Sequence, residues 1–288
     1  MQAVFILSLD CEGKWGVADH LGGEYDAQLT NDRLLATYRA ISELLREFTI
    51  SATYATTEAF LLPTRKQRDL PWGEMTELLP YAASAARAIR AGDQGWSAPW
   101  IPDLIGEDDE LACHGFTHSP WGSLTREQAA FEIELCRAGD GRTFVYPRNQ
   151  VNHVDLLGKA DFKGYRAAPP KRSRVRSLAS EINLGSRSQP QISTVSPVEI
   201  PGGYFVNWLH GPRRIIPPQV TRIRTKRIIR DAVSTGGVAH FWTHPENIAA
   251  SPATLANLRS VLSEAARWRD EGRLATITQA EYAARHTA

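Results

Sequence analysis

Three short patches carry residue types that could do chemistry. In His114-Gly-Phe-Thr-His118 two imidazoles stand four residues apart. On a helical turn they fall on the same side and can close on one divalent ion. A bare pair of this kind is common on solvated helix faces, so it carries little alone. In Asp10-Cys11-Glu12 the two acids follow an apolar run. On an extended strand end, residues i and i+2 point the same way, so both carboxylates would face one space. The competing reading is a pair of solvated loop acids, stronger for Glu12 than for Asp10. In His240-Phe-Trp-Thr-His244-Pro-Glu-Asn, strand alternation puts His240, Trp242 and His244 on one face. His244, at a strand end before proline, is placed to donate a proton near neutral pH. His240 reads instead as a hydrogen-bonded core histidine. Taken together, a carboxylate and two histidines make a facial metal site with open positions. A further carboxylate can take a proton from water, and a histidine can protonate a departing amine. These parts match hydrolysis of an amide.

The elements around these patches alternate between strand and helix. Val4 to Leu9 reads as a buried strand ending at Asp10, and Gly13 to Thr30 as a loop. Asn31 is placed to cap a helix with Leu34, Tyr38, Ile41 and Leu45 at helical spacing, and Phe48 to Tyr54 reads as a second strand. Ala82 to Ala91 is helical in character, and Leu111 to Cys113 a short strand ending at His114. Thr125 to Gln128 has the capping-box pattern and opens an amphipathic helix through Ala129, Ile133 and Cys136. Phe144 to Pro147, Gly164 to Ala168, Gly237 to Thr243 and Leu274 to Ile277 read as strands, and Val154 to Lys159 and Pro252 to Trp268 as helices. Residues around 169–230 look like an irregular, basic excursion. Repeated strand–helix units predict an α/β fold with a parallel sheet, open or closed into a distorted barrel, in one domain over residues 1–288.

Bulk properties narrow the class. With 33 Lys plus Arg against 32 Asp plus Glu, the net charge of +1 argues against a nucleic-acid binder. Three cysteines without a CxxC pair fit a reducing cytosol better than a disulfide framework. The first residues lack the basic region of a secretory signal, and their apolar run is too short to span a bilayer. A soluble cytoplasmic protein with no transmembrane segment is the expectation.

Five motifs, in order from about Leu7 to Thr278, resemble the polysaccharide deacetylase family (NodB-homology domain, carbohydrate esterase family 4). They are Ser8-Leu-Asp-Cys-Glu-Gly13, Ile50-Ser-Ala-Thr-Tyr54, Leu111-Ala-Cys-His-Gly-Phe-Thr-His118, Phe144-Val-Tyr-Pro-Arg-Asn-Gln150 and His240 to Pro245. The resemblance implies a single-domain distorted (β/α) barrel of about seven parallel strands with surrounding helices. It implies Asp10 as catalytic base, Glu12, His114 and His118 as ligands of one divalent metal ion, commonly zinc, and His244 as general acid. The backbone N–H at or near Arg148 would help form an oxyanion hole. Glu at position 12, offset by Cys11, leaves open which of Asp10 and Glu12 binds metal. The arginine that orients the base in the family is replaced by Val145, with Arg148 nearby.

The implied activity is a carbohydrate N-deacetylase: removal of an N-acyl, in the first instance N-acetyl, group from an amino sugar. Its substrate would be a precursor for surface polysaccharide or glycoconjugate synthesis. The alternatives are a deformylase or cyclic-amide hydrolase on the same scaffold, or a catalytically silent carbohydrate-binding relative. Arg213 to Arg230 holds seven basic residues (Arg213, Arg214, Arg222, Arg224, Lys226, Arg227, Arg230) and no acidic one. With Lys171, Arg172, Arg174 and Arg176 they could form a patch for a phosphate-linked sugar or for peripheral contact with an anionic membrane face. A solvated helix surface is the plainer reading of most of them. Trp15, Trp121, Trp208 and Tyr204 are aromatics that could stack on a sugar ring or finish a core.

Overall fold

The apolar run at the amino terminus forms β1 (Ala3–Cys11), buried along its whole length. It is followed by β2 (Thr53–Thr56), β3 (Glu110–Cys113), β4 (Thr143–Phe144), β5 (Gly164–Arg166), β6 (Val198–Ile200), β7 (Tyr204–Phe205), β8 (Val238–Thr243) and β9 (Leu274–Thr276). A computed structural model describes residues 2–136, 139, 141–169, 179, 182, 184–209 and 211–287. Eight strands lie in the order β6-β5-β4-β3-β2-β1-β8-β7, and β9 pairs with the start of β1. Every pairing between these strands is parallel.

The connectivity forces the sheet to curl. β6 and β7 are its opposite edges, yet only residues 201–203 separate them in the chain. A flat eight-stranded sheet would hold its edges about 34 Å apart. Four Cα steps reach at most about 14 Å. The sheet therefore wraps into a distorted (β/α) barrel.

Strand alternation then sorts side chains between two environments. Phe5, Leu7, Leu9 and Cys11 of β1 join the large core beneath the surrounding helices, with Tyr54, Cys113, Phe144, Tyr165 and Phe241 from neighbouring strands. Val4 and Ile6 instead pack inside the barrel with Val198, Ile200 and Val238. Ser8, Asp10 and Glu12 continue that inner row toward the carboxyl end of β1, which is where active sites form in parallel sheets. At the opposite end the Gln279–His286 helix covers the barrel, placing Tyr282 and Ala283 against the inner apolar cluster.

Some boundaries differ from expectation. The Asn31–Phe48 helix takes in Phe48, so the second strand starts at Thr53. Its N-cap is Thr30, whose hydroxyl accepts from the Arg33 N–H; the Asn31 side chain instead accepts from the Gly95 N–H at 2.8 Å. The Thr125 capping box forms as expected. The stretch around 169–230 is more regular than it reads, because it holds β6, β7 and most of the 18-residue Pro218–Thr235 helix. β6 and β7 account for the excess over seven strands; at three and two residues they are too short to leave a periodic signal. Among the described residues no helix is long and apolar enough to cross a membrane.

Candidate metal centre

Glu12, His114 and His118 converge, all buried, with one ligand atom of each within 4.8 Å of the others. His118 Nε2 lies 2.6 Å and His114 Nε2 3.4 Å from Glu12 Oε2. The histidines do not meet on a helix, as their spacing suggested. His114 follows β3 directly, and the chain then reverses through left-handed conformations at Gly115 (φ +74°) and His118 (φ +61°). A non-glycine residue held there is a strained conformation of the kind that collects at functional sites.

The protonation pattern suits ligands. His114 Nδ1 donates to the Val145 carbonyl at 2.7 Å, which fixes the ring and aims Nε2 at Glu12. Burial lowers the His118 pKa, outweighing the pull of Glu12, which favours the neutral ring a metal ligand needs. Glu12 is opposed by burial, but His118, His244 and His114 hold its carboxyl well below the usual range. Despite their closeness, Glu12 Oε2 and His114 Nε2 have no hydrogen-bond partner among the described residues. Orphaned buried polar atoms are costly, and one divalent cation would satisfy this carboxylate and both imidazoles. A second cluster, Glu58, Cys113 and Cys136, lacks that signature. There Cys113 donates to Cys136, Cys136 to the Glu132 carbonyl, and Arg142 to Glu58.

Asp10 lies on the inner face beside this centre, with Arg166 as partner. The guanidinium donates to Asp10 Oδ1 at 2.6 Å and Oδ2 at 2.7 Å, to Ser8 Oγ at 3.1 Å and to Asn149 Oδ1 at 3.0 Å. It lies 4.9 Å from the Trp242 ring centroid. Burial acts to raise the Asp10 pKa, yet Arg166, aided by His114 and His244, outweighs it and keeps the carboxylate ionised. Arg166 was not singled out from sequence, although strand alternation could have found it. Tyr165 joins the outer core, so Arg166 must face inward at a strand's carboxyl end. Arg148 does not take this place. Its side chain donates to Asp19 at 2.6 Å and to the Tyr81 hydroxyl at 3.1 Å, and its backbone is left-handed (φ +56°).

His244 approaches from the other side, its Nδ1 3.1 Å from Glu12 Oε1. Burial disfavours its charge, but Glu12, Asp10 and Glu246 outweigh that and push it up to about 9. His240 is the core histidine expected, buried between Ser8 Oγ (3.0 Å) and the Pro201 carbonyl (2.5 Å). Glu246, unnoticed in the sequence, is fully buried and accepts from the Glu12 and Gly13 N–H groups at 3.2 and 2.8 Å and from the Tyr38 hydroxyl at 3.0 Å. It holds the turn that carries Glu12. Glu246→Ala should strand those amides and cost about 1–3 kcal/mol, read as a lower urea midpoint at unchanged m-value.

The centre opens into a cleft of about 1210 Å³ lined by Glu12, His244, Trp242, Tyr204, Phe205 and Trp208 among others. Trp15 and Trp121 are fully buried in the core, so of the four aromatics proposed for stacking only Trp208 and Tyr204 reach the cleft. The basic stretch also divides. Arg213 and Arg224 line the cleft, over the Phe205 and Tyr204 rings, whereas Lys226 and Arg230 pair with Glu264 away from it. Lys171, Arg172, Arg174 and Arg176 lie outside the described residues.

No family model and no curated protein matches this chain. Among solved structures it is similar to a protein named as a polysaccharide deacetylase from Mycobacterium smegmatis, at 14% identity and a TM-score of 0.52, covering 99% of this chain and 91% of that one. It is also similar to the Xyl-CE4 domain of a multidomain xylanase from the hindgut metagenome of Trinervitermes trinervoides, at 11% identity and a TM-score of 0.45, covering 99% and 91%. A CE4 family pseudoenzyme from Bacillus anthracis matches at 13% identity and a TM-score of 0.45, covering 98% of this chain and 66% of that one. At such identities the likeness speaks to architecture, and the chain has the fold of the polysaccharide deacetylases.

Proposed function

We propose that this chain is a metal-dependent hydrolase that removes an N-acyl group, N-acetyl in the first instance, from an amino sugar. The observation that carries the proposal is the buried convergence of Glu12, His114 and His118, with Asp10 and His244 beside it, at the base of an open cleft. Glu12, His114 and His118 would hold one divalent ion; their oxygen and imidazole donors suit zinc. When bound, such an ion supplies Lewis-acid polarisation of the acyl carbonyl and lowers the pKa of water. The remaining work falls to this chain's own groups. Asp10, kept ionised and oriented by Arg166, accepts the proton of the attacking water. His244, held protonated by the carboxylates around it, donates to the departing amine. The backbone N–H at Arg148 is the candidate donor to the developing oxyanion.

The cleft favours a substrate with a sugar ring and an anionic substituent. Trp208, Tyr204 and Trp242 offer ring faces, and Arg213 and Arg224 offer cationic groups that suit a phosphate. A phosphate-linked precursor of surface polysaccharide or glycoconjugate is the substrate we favour. The test is elemental analysis of wild type and His114→Ala purified without added metal, followed by a panel of acylated amino sugars. About one divalent ion per chain in wild type, lost in the variant, is expected. Metal in neither protein, with no uptake on titration, would remove the centre of the mechanism.

A further inference from the structure

The loop that carries His118 is held from behind by a carboxylate with no part in the chemistry above. Glu132, on the Arg126–Leu135 helix, is fully buried. Its Oε1 accepts from the Phe116 N–H at 3.1 Å and the Thr117 N–H at 2.8 Å. The Thr117 hydroxyl lies 3.1 and 3.0 Å from its two oxygens and 2.7 Å from the Ser119 hydroxyl. Two consecutive backbone amides and a hydroxyl thus converge on one side chain. They do so where the chain reverses, between the left-handed Gly115 and the left-handed His118. Gly115 is itself tight against this carboxylate, since a Cβ there would come within 3.1 Å of Glu132 Oε1.

We infer that Glu132 is a positioning residue: by gathering the amides of residues 116 and 117 and the Thr117 hydroxyl it fixes the backbone turn that aims His118 at Glu12, and so sets the affinity of the centre for its ion. The inference rests on reading Glu12, His114 and His118 as metal ligands. Without an acceptor at this point the amides would be unpaired in the interior, and the loop would have to rearrange to satisfy them. Reach matters here more than charge. Glu132→Gln keeps a carbonyl oxygen at the same distance from the backbone, whereas Glu132→Asp keeps the charge but withdraws it by one methylene.

The test is zinc affinity, measured on the full chain by competition with a chromophoric chelator, for wild type, Glu132→Ala, Glu132→Asp and Glu132→Gln. Thermal unfolding of each metal-free protein is followed in parallel. Glu132→Ala and Glu132→Asp are expected to bind zinc about 10–100-fold more weakly, the usual effect of losing a group that orients a ligand. Glu132→Gln should stay near wild type. A merely structural role would lower the melting temperature while leaving the zinc affinity of the folded protein unchanged. Unchanged affinity in the Ala and Asp variants, or a loss in Glu132→Gln as large as in Glu132→Ala, would overturn the inference. Should Glu132→Ala fail to fold, the contrast between Glu132→Asp and Glu132→Gln decides it. If wild type itself takes up no zinc, the metal-centre reading fails and this inference falls with it.

Discussion

Asp10→Asn is expected to lower kcat/KM toward an acylated amino sugar by about 10²–10⁴-fold, the range that positioned general bases contribute, while bound metal stays at the wild-type level. The carboxylate is gripped at both oxygens by Arg166 and kept ionised by it, as a base must be. The candidate ligand atoms belong to Glu12, His114 and His118, and Asp10 is not among them. Glu12→Gln should behave in the opposite order, losing the ion first and activity as a consequence. Elemental analysis and turnover on the two variants therefore separate the roles that residue types alone left open. Metal lost from Asp10→Asn and retained by Glu12→Gln would exchange the assignments.

Arg166→Met should destabilise the fold by about 3–5 kcal/mol, because it removes one member of a buried ion pair and leaves the other charge uncompensated. Both side chains are nearly inaccessible, at 0% and 2% for Arg166 and Asp10. The pH dependence has a definite sign. In wild type the Asp10 pKa is depressed, so its contribution to stability is present above the ordinary carboxylate range and fades only as pH falls through the depressed value. Without Arg166, burial becomes the dominant influence and raises that pKa. Stability of the variant should then decline as pH rises through the raised value. The gap between variant and wild type should be widest near neutral pH and narrow toward pH about 4, where an unfolded aspartate itself protonates. Urea unfolding at both pH values reads this directly. A gap independent of pH would mean that the lost packing on Trp242, rather than the charge, accounts for the effect.

The same pair explains why the site was only partly legible. Alternation along β1 and β8 is a property of a few consecutive residues, so the inward row of Ser8, Asp10 and Glu12 and the placing of His240 and His244 could be read directly. The cap at Thr125, written within four residues, was equally readable. Arg166, by contrast, stands 156 residues from Asp10, and nothing local to either marks the other. Their meeting depends on which strands lie on the two sides of the curled sheet. Trp15 and Trp121 failed as cleft residues for a similar reason: adjacency to a site loop in sequence does not tell which side of the loop faces solvent.

The amino-acid sequence by itself determined the repeating strands and helices, the parallel sheet they imply, and the carboxylates and histidines of the candidate centre. Those features rest on periodicity, capping and burial preference, which act over a turn or a strand. Only the tertiary structure decided that Arg166 rather than Arg148 holds Asp10, and that His114 and His118 meet across a left-handed loop rather than along a helix. It also decided that Glu132 and Glu246 bond the turns that carry His118 and Glu12. The Asp10–Arg166 and Gly13–Glu246 pairings join buried polar groups far apart in the chain. Burial leaves such groups no water to bond, so the fold as a whole, and no short segment of it, selects their partners.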